Sequence, residues 1–325
     1  MDAVALHRDA LVVDAHADIL CDVHVRRRAG ETAVLRRRHL PRLRAGSFGA
    51  MVFAVYLTPY LPESALRESL LMIDDLRQEI AESEDEIYLA RAAQDLAPDV
   101  RRGRLAALLS LEGAEPLGTD LGILRLMYDL GLRALGLTWF RRTMVADGTG
   151  EEEAGGGLTR FGRAVVRECN RLGILVDVSH LSERGFWDVM RVAEGPVSAS
   201  HSNARALCEH PRNLRDEQLR ALAATGGVVG LNACPDFVDP SAPSLDRLLD
   251  HAAYMSEVMG PGHVGLGLDL LEYLPGYEDK RLPGLADASE APAITAGLLA
   301  RGASDGEIKG LLGENWLHMW RQVLR

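Results

Sequence analysis

The sequence predicts an α/β fold, a (β/α)8 TIM barrel, in which residues 1–325 form one domain with extra helices at the C-terminal end. Three observations predict it. Eight short apolar runs rich in β-formers recur along the chain, helix-period segments separate them, and ligand-type side chains stand at the ends of most runs. In such barrels the functional side chains gather at the carboxyl ends of the strands. An open doubly wound sheet is the main rival, but no G-x-G-x-x-G follows the first run, which weakens its dinucleotide-binding form.

The runs are, in order, "ALVVDAH" (10–16), "GAMVFAVYL" (49–57), "LAALLSLE" (105–112) and "LRALGLTW" (132–139). "ILVDVSH" (174–180), "PVSASH" (196–201), "GVVGLN" (227–232) and "HVGLGLD" (263–269) complete the set. Helical periodicity marks 64–83, 158–173, 181–195, 215–227 and 245–260, and the last two of these end in glycine, as helix C-termini favour. The arginine-rich stretch 26–44 reads as a solvated connection or subunit-contact loop. The glycine- and acid-rich stretch 147–157 reads as a mobile surface loop near a site.

Alternation along a strand sends residues i and i+2 to one face. His16 and Asp18 therefore point together, Val176 and Val178 are expected to share a face with His180, and Val197 and Ala199 with His201. Gly265, Gly267 and Asp269 share another, the glycines leaving space beneath the carboxylate. With Glu112, these ends bring three imidazoles and several carboxylates to one mouth. Uncompensated, that concentration of buried charge would cost many kcal/mol. One or two bound metal ions remove the penalty, because imidazole and carboxylate are ligands zinc takes. Taken singly, each residue has a structural explanation: a hydrogen-bonded strand-end histidine, or Asp269 as a helix N-cap. Together they favour metal. Asp14 and Asp177 are expected to support or cap, and His210, His251 and His263 to lie at the surface.

Composition narrows the chemistry. A net charge of -11 argues against nucleic acid as a partner. Four widely spaced cysteines form no CxxC pair and read as reduced, buried thiols. No apolar run reaches membrane-span length and no secretory n- and h-region opens the chain, so a cytoplasmic protein without membrane contact is expected. The only lysines are Lys280 and Lys309, both beyond the eighth run. That excludes a Schiff-base lysine on an inner strand and a carbamylated lysine bridging two metals. Glu112 is left as the natural bridging group.

The stretches "DAHAD" (14–18), "SLEGAE" (110–115), "NRLGILVDVSHLS" (170–182), "PVSASHSNARALCEHPRN" (196–213), "HVGLGLD" (263–269) and "GENWLHMW" (313–320) resemble the membrane (renal) dipeptidase family of zinc peptidases, in order and over nearly the whole chain. The resemblance implies two zinc ions per chain, one held by His16 and Asp18, the other by His180 and His201, with Glu112 bridging. It implies Asp269 as the general acid/base and Arg212 as the clamp for a substrate carboxylate. The implied reaction is hydrolysis of short peptides with a free C-terminal carboxylate, including L-Xaa-D-Xaa dipeptides, by hydroxide held between the ions. A homodimer is compatible with the resemblance. Trp139 stands where much of the family has a histidine near the reacting carbonyl, so it is expected to face substrate with only one uncharged N–H donor. The alternatives are a binuclear hydrolase of another small amide, N-acyl amino acid or lactone, and a metal-binding member without turnover.

Overall fold

The computed structural model describes residues 2–57, 62–277 and 279–324. All eight expected strands form: β1 (Val12–Ala17), β2 (Phe48–Tyr56), β4 (Leu105–Glu112), β5 (Leu132–Gly136), β6 (Leu175–Asp177), β7 (Val197–Ser198), β8 (Val229–Leu231) and β9 (Val264–Leu266). A short unexpected strand, β3 (Ile87–Leu89), pairs only with the first residues of β4, below the point where β5 takes over that edge at Leu109. Every pairing between strands is parallel, in the order β1-β2-β4-β5-β6-β7, with β8 and β9 as a second pair. An Ala199–Val229 bridge joins β7 to β8. The Leu268 N–H donates to Asp14 Oδ1 at 2.8 Å and ties the end of β9 to β1. The parallel sheet thus curls into the TIM barrel.

Four of the connecting helices begin where the sequence supplies an acceptor. Asp120, Thr159, Ser182 and Ser244 each cap a first turn through the side chain. Arginines in 26–44 do not form a loop: helices Ile19–Arg28 and Leu40–Ala45 flank a π turn at Leu35–His39. Their arginines pair with carboxylates of helix Ala65–Glu82, among them Arg27 with Glu79 and Arg28 with Asp75.

Two apolar layers result. Met51, Phe53, Leu109, Leu111 and Leu135 pack outward against the helices, while Val13, Ala15, Val52, Leu108 and Leu175 fill the barrel. The C-terminal helix Asn315–Val323 closes the amino-terminal end with Trp316 and Trp320, the Trp316 indole donating to the Leu266 carbonyl at 3.0 Å. The space at Gly265 and Gly267 is consequently filled: Trp316 lies where a Cβ of Gly265 would go, and the Ser200 carbonyl where that of Gly267 would. Val176, Val178, Val197 and Ala199 belong to the outer layer, so the expectation that they share a face with His180 and His201 is corrected. Asp177, Ser198 and Ser200 face the interior instead. Strands β6 and β7 are so short that the chain has left the extended conformation before reaching either histidine, and alternation no longer applies.

Among the described residues no helix is long and apolar enough to cross a membrane.

Candidate metal centre

Each member of the cluster reaches the barrel mouth by its own local device. In β1, the residues from Asp14 to Ala17 span only Met51 to Phe53 of β2, so one extra residue is inserted. A bulge of this kind re-aims a side chain, and here it turns His16 inward. Asp18 follows at the start of helix Ile19–Arg28 but makes no capping bond, leaving its carboxylate to the site. Glu112 ends β4 on the inward series that includes Ala106 and Leu108. His180 sits in the turn after β6, its carbonyl accepting from the Thr149 N–H at 2.9 Å and the Thr138 hydroxyl at 3.2 Å. The acidic 147–157 stretch is therefore anchored to the site, with Asp147 buried and paired to Arg142.

The side chains converge. Glu112 Oε1 lies 2.8 Å from His180 Nε2, 3.5 Å from His201 Nε2 and 3.6 Å from His16 Nε2. His16 Nε2 lies 3.6 Å from Asp18 Oδ1 and 3.9 Å from Asp269 Oδ1. His180 and His201 face each other through their Nε2 atoms at 2.8 Å. Two donor triads, His16–Glu112–His201 and His16–Asp18–Asp269, have atoms mutually within 4.8 Å and share His16. All five expected ligand residues and Asp269 thus meet in one place.

The electrostatics follow from burial. Burial opposes charge on His16, but the carboxylates of Glu112, Asp18 and Asp269 outweigh it and raise its pKa to about 10. Burial pushes Glu112 well above the usual carboxylate range and Asp269 up to about 6, with His16 opposing and Asp18 adding to both shifts. Burial, aided by the charges of Arg212 and His16, holds His180 and His201 well below the ordinary histidine value. His16 Nε2, Asp18 Oδ1, Glu112 Oε2 and His180 Nδ1 are buried without a hydrogen-bond partner. Buried polar atoms are seldom left so. Nitrogen and oxygen donors with orphaned atoms, three imidazoles facing carboxylates, fit a divalent first-row metal such as zinc.

Beside the cluster opens a cavity of about 300 Å³ lined by Tyr56, Trp139, His210, Arg212, Phe237 and Asp269, among others. Arg212 is buried; one guanidinium nitrogen donates to the His201 carbonyl at 3.0 Å, while Nε and Nη1 have no partner. Trp139 stacks obliquely between Tyr56 and His180, with ring centroids 5.1 and 6.1 Å away. Asn232 donates to Asp269 Oδ2 at 3.1 Å and is itself held by Asn203. Tyr56, His210 and Phe237 were not expected at the site. Of these, His210 was expected at the surface but is half-buried on the cavity wall. His251 is fully buried, another correction: its ring spans the Ala204 N–H and the Val238 carbonyl. His263 is half-buried and donates to the Gly227 carbonyl.

The model of the membrane dipeptidase family (peptidase family M19) matches residues 1–325. Dipeptidase verJ of Clonostachys rogersoniana is 32% identical over 298 residues, covering 87% of this chain and 75% of the relative. A Rhodobacter sphaeroides metallopeptidase, solved with a phosphinate mimic of the dipeptide L-Ala-D-Ala, superposes with a TM-score of 0.87 at 30% identity over 97% of this chain and 99% of its own. The metallopeptidase described as dipeptidase AC superposes with a TM-score of 0.88 at 30% identity, with the same coverage. With a mouth of convergent metal-type donors at the carboxyl ends of its strands, this chain belongs to the membrane dipeptidase family of peptide-bond hydrolases.

Proposed function

We propose that residues 1–325 act as one domain, a binuclear zinc dipeptidase in which His16 and Asp18 hold one ion, His180 and His201 the other, and Glu112 bridges them. The observation that carries this reading is the set of orphaned buried donors meeting at a cavity that also contains Asp269 and Arg212. Ions bound there would supply Lewis acidity toward the scissile carbonyl and toward the attacking water.

The chain's own residues do the rest. Arg212 lines the cavity with guanidinium nitrogens that lack partners, a fixed positive charge with N–H donors suited to a terminal carboxylate. Asp269, on the cavity wall beside His16, is the carboxylate placed to take the water proton and pass it to the departing amine. Asn232 fixes which oxygen of Asp269 is free to do so. Trp139 forms part of the substrate wall and offers no charge to the carbonyl oxygen. The L-Ala-D-Ala mimic bound by the Rhodobacter sphaeroides enzyme supports L-Xaa-D-Xaa dipeptides as the substrate class.

The test pairs metal analysis with a panel of L,L and L,D dipeptides, each with free and blocked termini. Up to two zinc per chain and cleavage confined to free carboxylates are expected. Cleavage of N-acyl or lactone substrates in preference to dipeptides would replace the substrate assignment, and full zinc occupancy with no turnover would remove the enzymatic one.

A further inference from the structure

We propose that Asp177 and Ser200 act as a positioning relay that fixes His201 in a single tautomer, protonated at Nδ1, with the Nε2 lone pair held toward Glu112. The inference rests on the reading of His201 as a metal ligand for its consequence, but not for its chemistry.

Asp177 ends β6 and points into the barrel beneath the metal centre, among Ser110, Ser198 and Ser200. Its Oδ1 accepts from the Ser179 N–H at 3.1 Å, the Ser179 hydroxyl at 2.7 Å and the Ser200 N–H at 2.9 Å. Its Oδ2 accepts from the Ser200 hydroxyl in a short contact. Two backbone N–H groups already donate to this carboxyl, and with Asp177 as the acceptor each serine directs its single hydroxyl proton at it, the Ser179 and Ser200 oxygens lying 3.2 Å apart. Ser179 Oγ then accepts from the His201 backbone N–H at 3.1 Å, which is consistent with its proton being committed elsewhere.

The remaining contact decides the tautomer. Ser200 Oγ lies 2.7 Å from His201 Nδ1. With its proton on the Asp177 side, Ser200 can only accept there, so His201 Nδ1 must carry hydrogen. The opposite arrangement would leave the Ser200 and Asp177 oxygens facing each other at hydrogen-bond distance with no proton between them. In a neutral ring Nε2 is then a bare lone pair, and it is Nε2 that faces Glu112 and His180. His180 differs: its Nδ1 has no partner and its position is set through its carbonyl. The ring contact from Ser200 is therefore specific to one of the two histidines, while Asp177 also steadies the His201 backbone through Ser179.

Histidine ligands oriented in this way lose about 10–100-fold in metal affinity when the orienting partner is removed. The test uses the full chain and zinc alone as the probe. Competition against a chromophoric chelator should show Ser200→Ala binding zinc about 10–100-fold more weakly, Ser200→Thr restoring affinity by keeping the hydroxyl, and Ser198→Ala, two residues away, unchanged. Histidine-selective nitrogen NMR of the metal-free wild type should report His201 as the Nδ1–H form, and of Ser200→Ala a mixture. Wild-type affinity in a folded Ser200→Ala, or an Nε2–H signal for His201 in the wild type, would overturn the relay. Should the wild type bind no zinc, the metal reading fails, while the NMR experiment on the same protein still decides the relay.

Discussion

Asn232 Nδ2 donates to Asp269 Oδ2 at 3.1 Å, and Asp269 occupies φ 52°, a backbone region few residues other than glycine adopt. The carboxylate is held from both ends, by its backbone and by a neighbouring strand. No helix begins at Asp269, so the N-cap alternative for this residue falls away. Asp269→Asn should therefore keep zinc and lose about 10²–10⁴-fold in kcat, the range typical of a general acid/base. Asn232→Ala should lose less, since the carboxylate stays and only its aim is freed. Steady-state kinetics beside metal analysis checks both.

Arg212→Met removes hydrogen bonds to a charged partner, each worth about 1.5–3 kcal/mol. KM for free dipeptides should rise by about 10–100-fold, while C-terminally amidated dipeptides, already poor substrates, should change little. Comparing the two substrate forms for wild type and variant isolates the clamp; an equal loss on both would remove it.

Without metal the cluster is left to its own electrostatics, with the buried carboxylates of Asp18 and Glu112 and the half-buried one of Asp269 all gathered around the buried His16. Zinc at a thousandfold above Kd should stabilise the fold by about 4 kcal/mol. A chelator-treated sample should melt several degrees lower and recover on adding zinc. Identical melts with and without zinc would contradict the assigned ligands.

Gly267→Ala places a methyl group onto the Ser200 carbonyl and 3.2 Å from the Gly230 Cα. Strands β7 and β9 would have to move apart, at a cost of about 1–3 kcal/mol. Thermal denaturation should show the loss, and zinc affinity should fall with it, because Ser200 precedes His201.

His251 gives a pH dependence far from the metal. Its Nδ1 accepts from the Ala204 N–H at 3.2 Å and its Nε2–H donates to the Val238 carbonyl at 2.9 Å, so a second ring proton would face an N–H. Burial holds its pKa below 6.5, with the Val238 bond opposing. Below pH of about 6.5 the unfolded chain takes up the proton before the folded one, so stability should fall as pH drops through 6.5 toward the depressed folded value. His251→Gln should melt lower at pH 7 and show a shallower slope between pH 7 and 5. Parallel slopes would remove His251 from the effect.

The sequence alone determined the order of eight strands, the exclusion of lysine chemistry and the identity of the residues that meet at the mouth, because strand periodicity and ligand chemistry are local properties. It could not show how those residues turn inward. The bulge in β1 that aims His16, and the early ends of β6 and β7 that free His180 and His201 from alternation, depend on neighbouring strands. For the same reason Asp177 and Ser200 were legible as polar residues but not as one network, and His251 was assigned to a surface it does not reach. Short β3 and the Trp316 plug under Gly265 were likewise hidden: each is fixed by contacts between segments distant in sequence, and only the closed barrel brings those segments together.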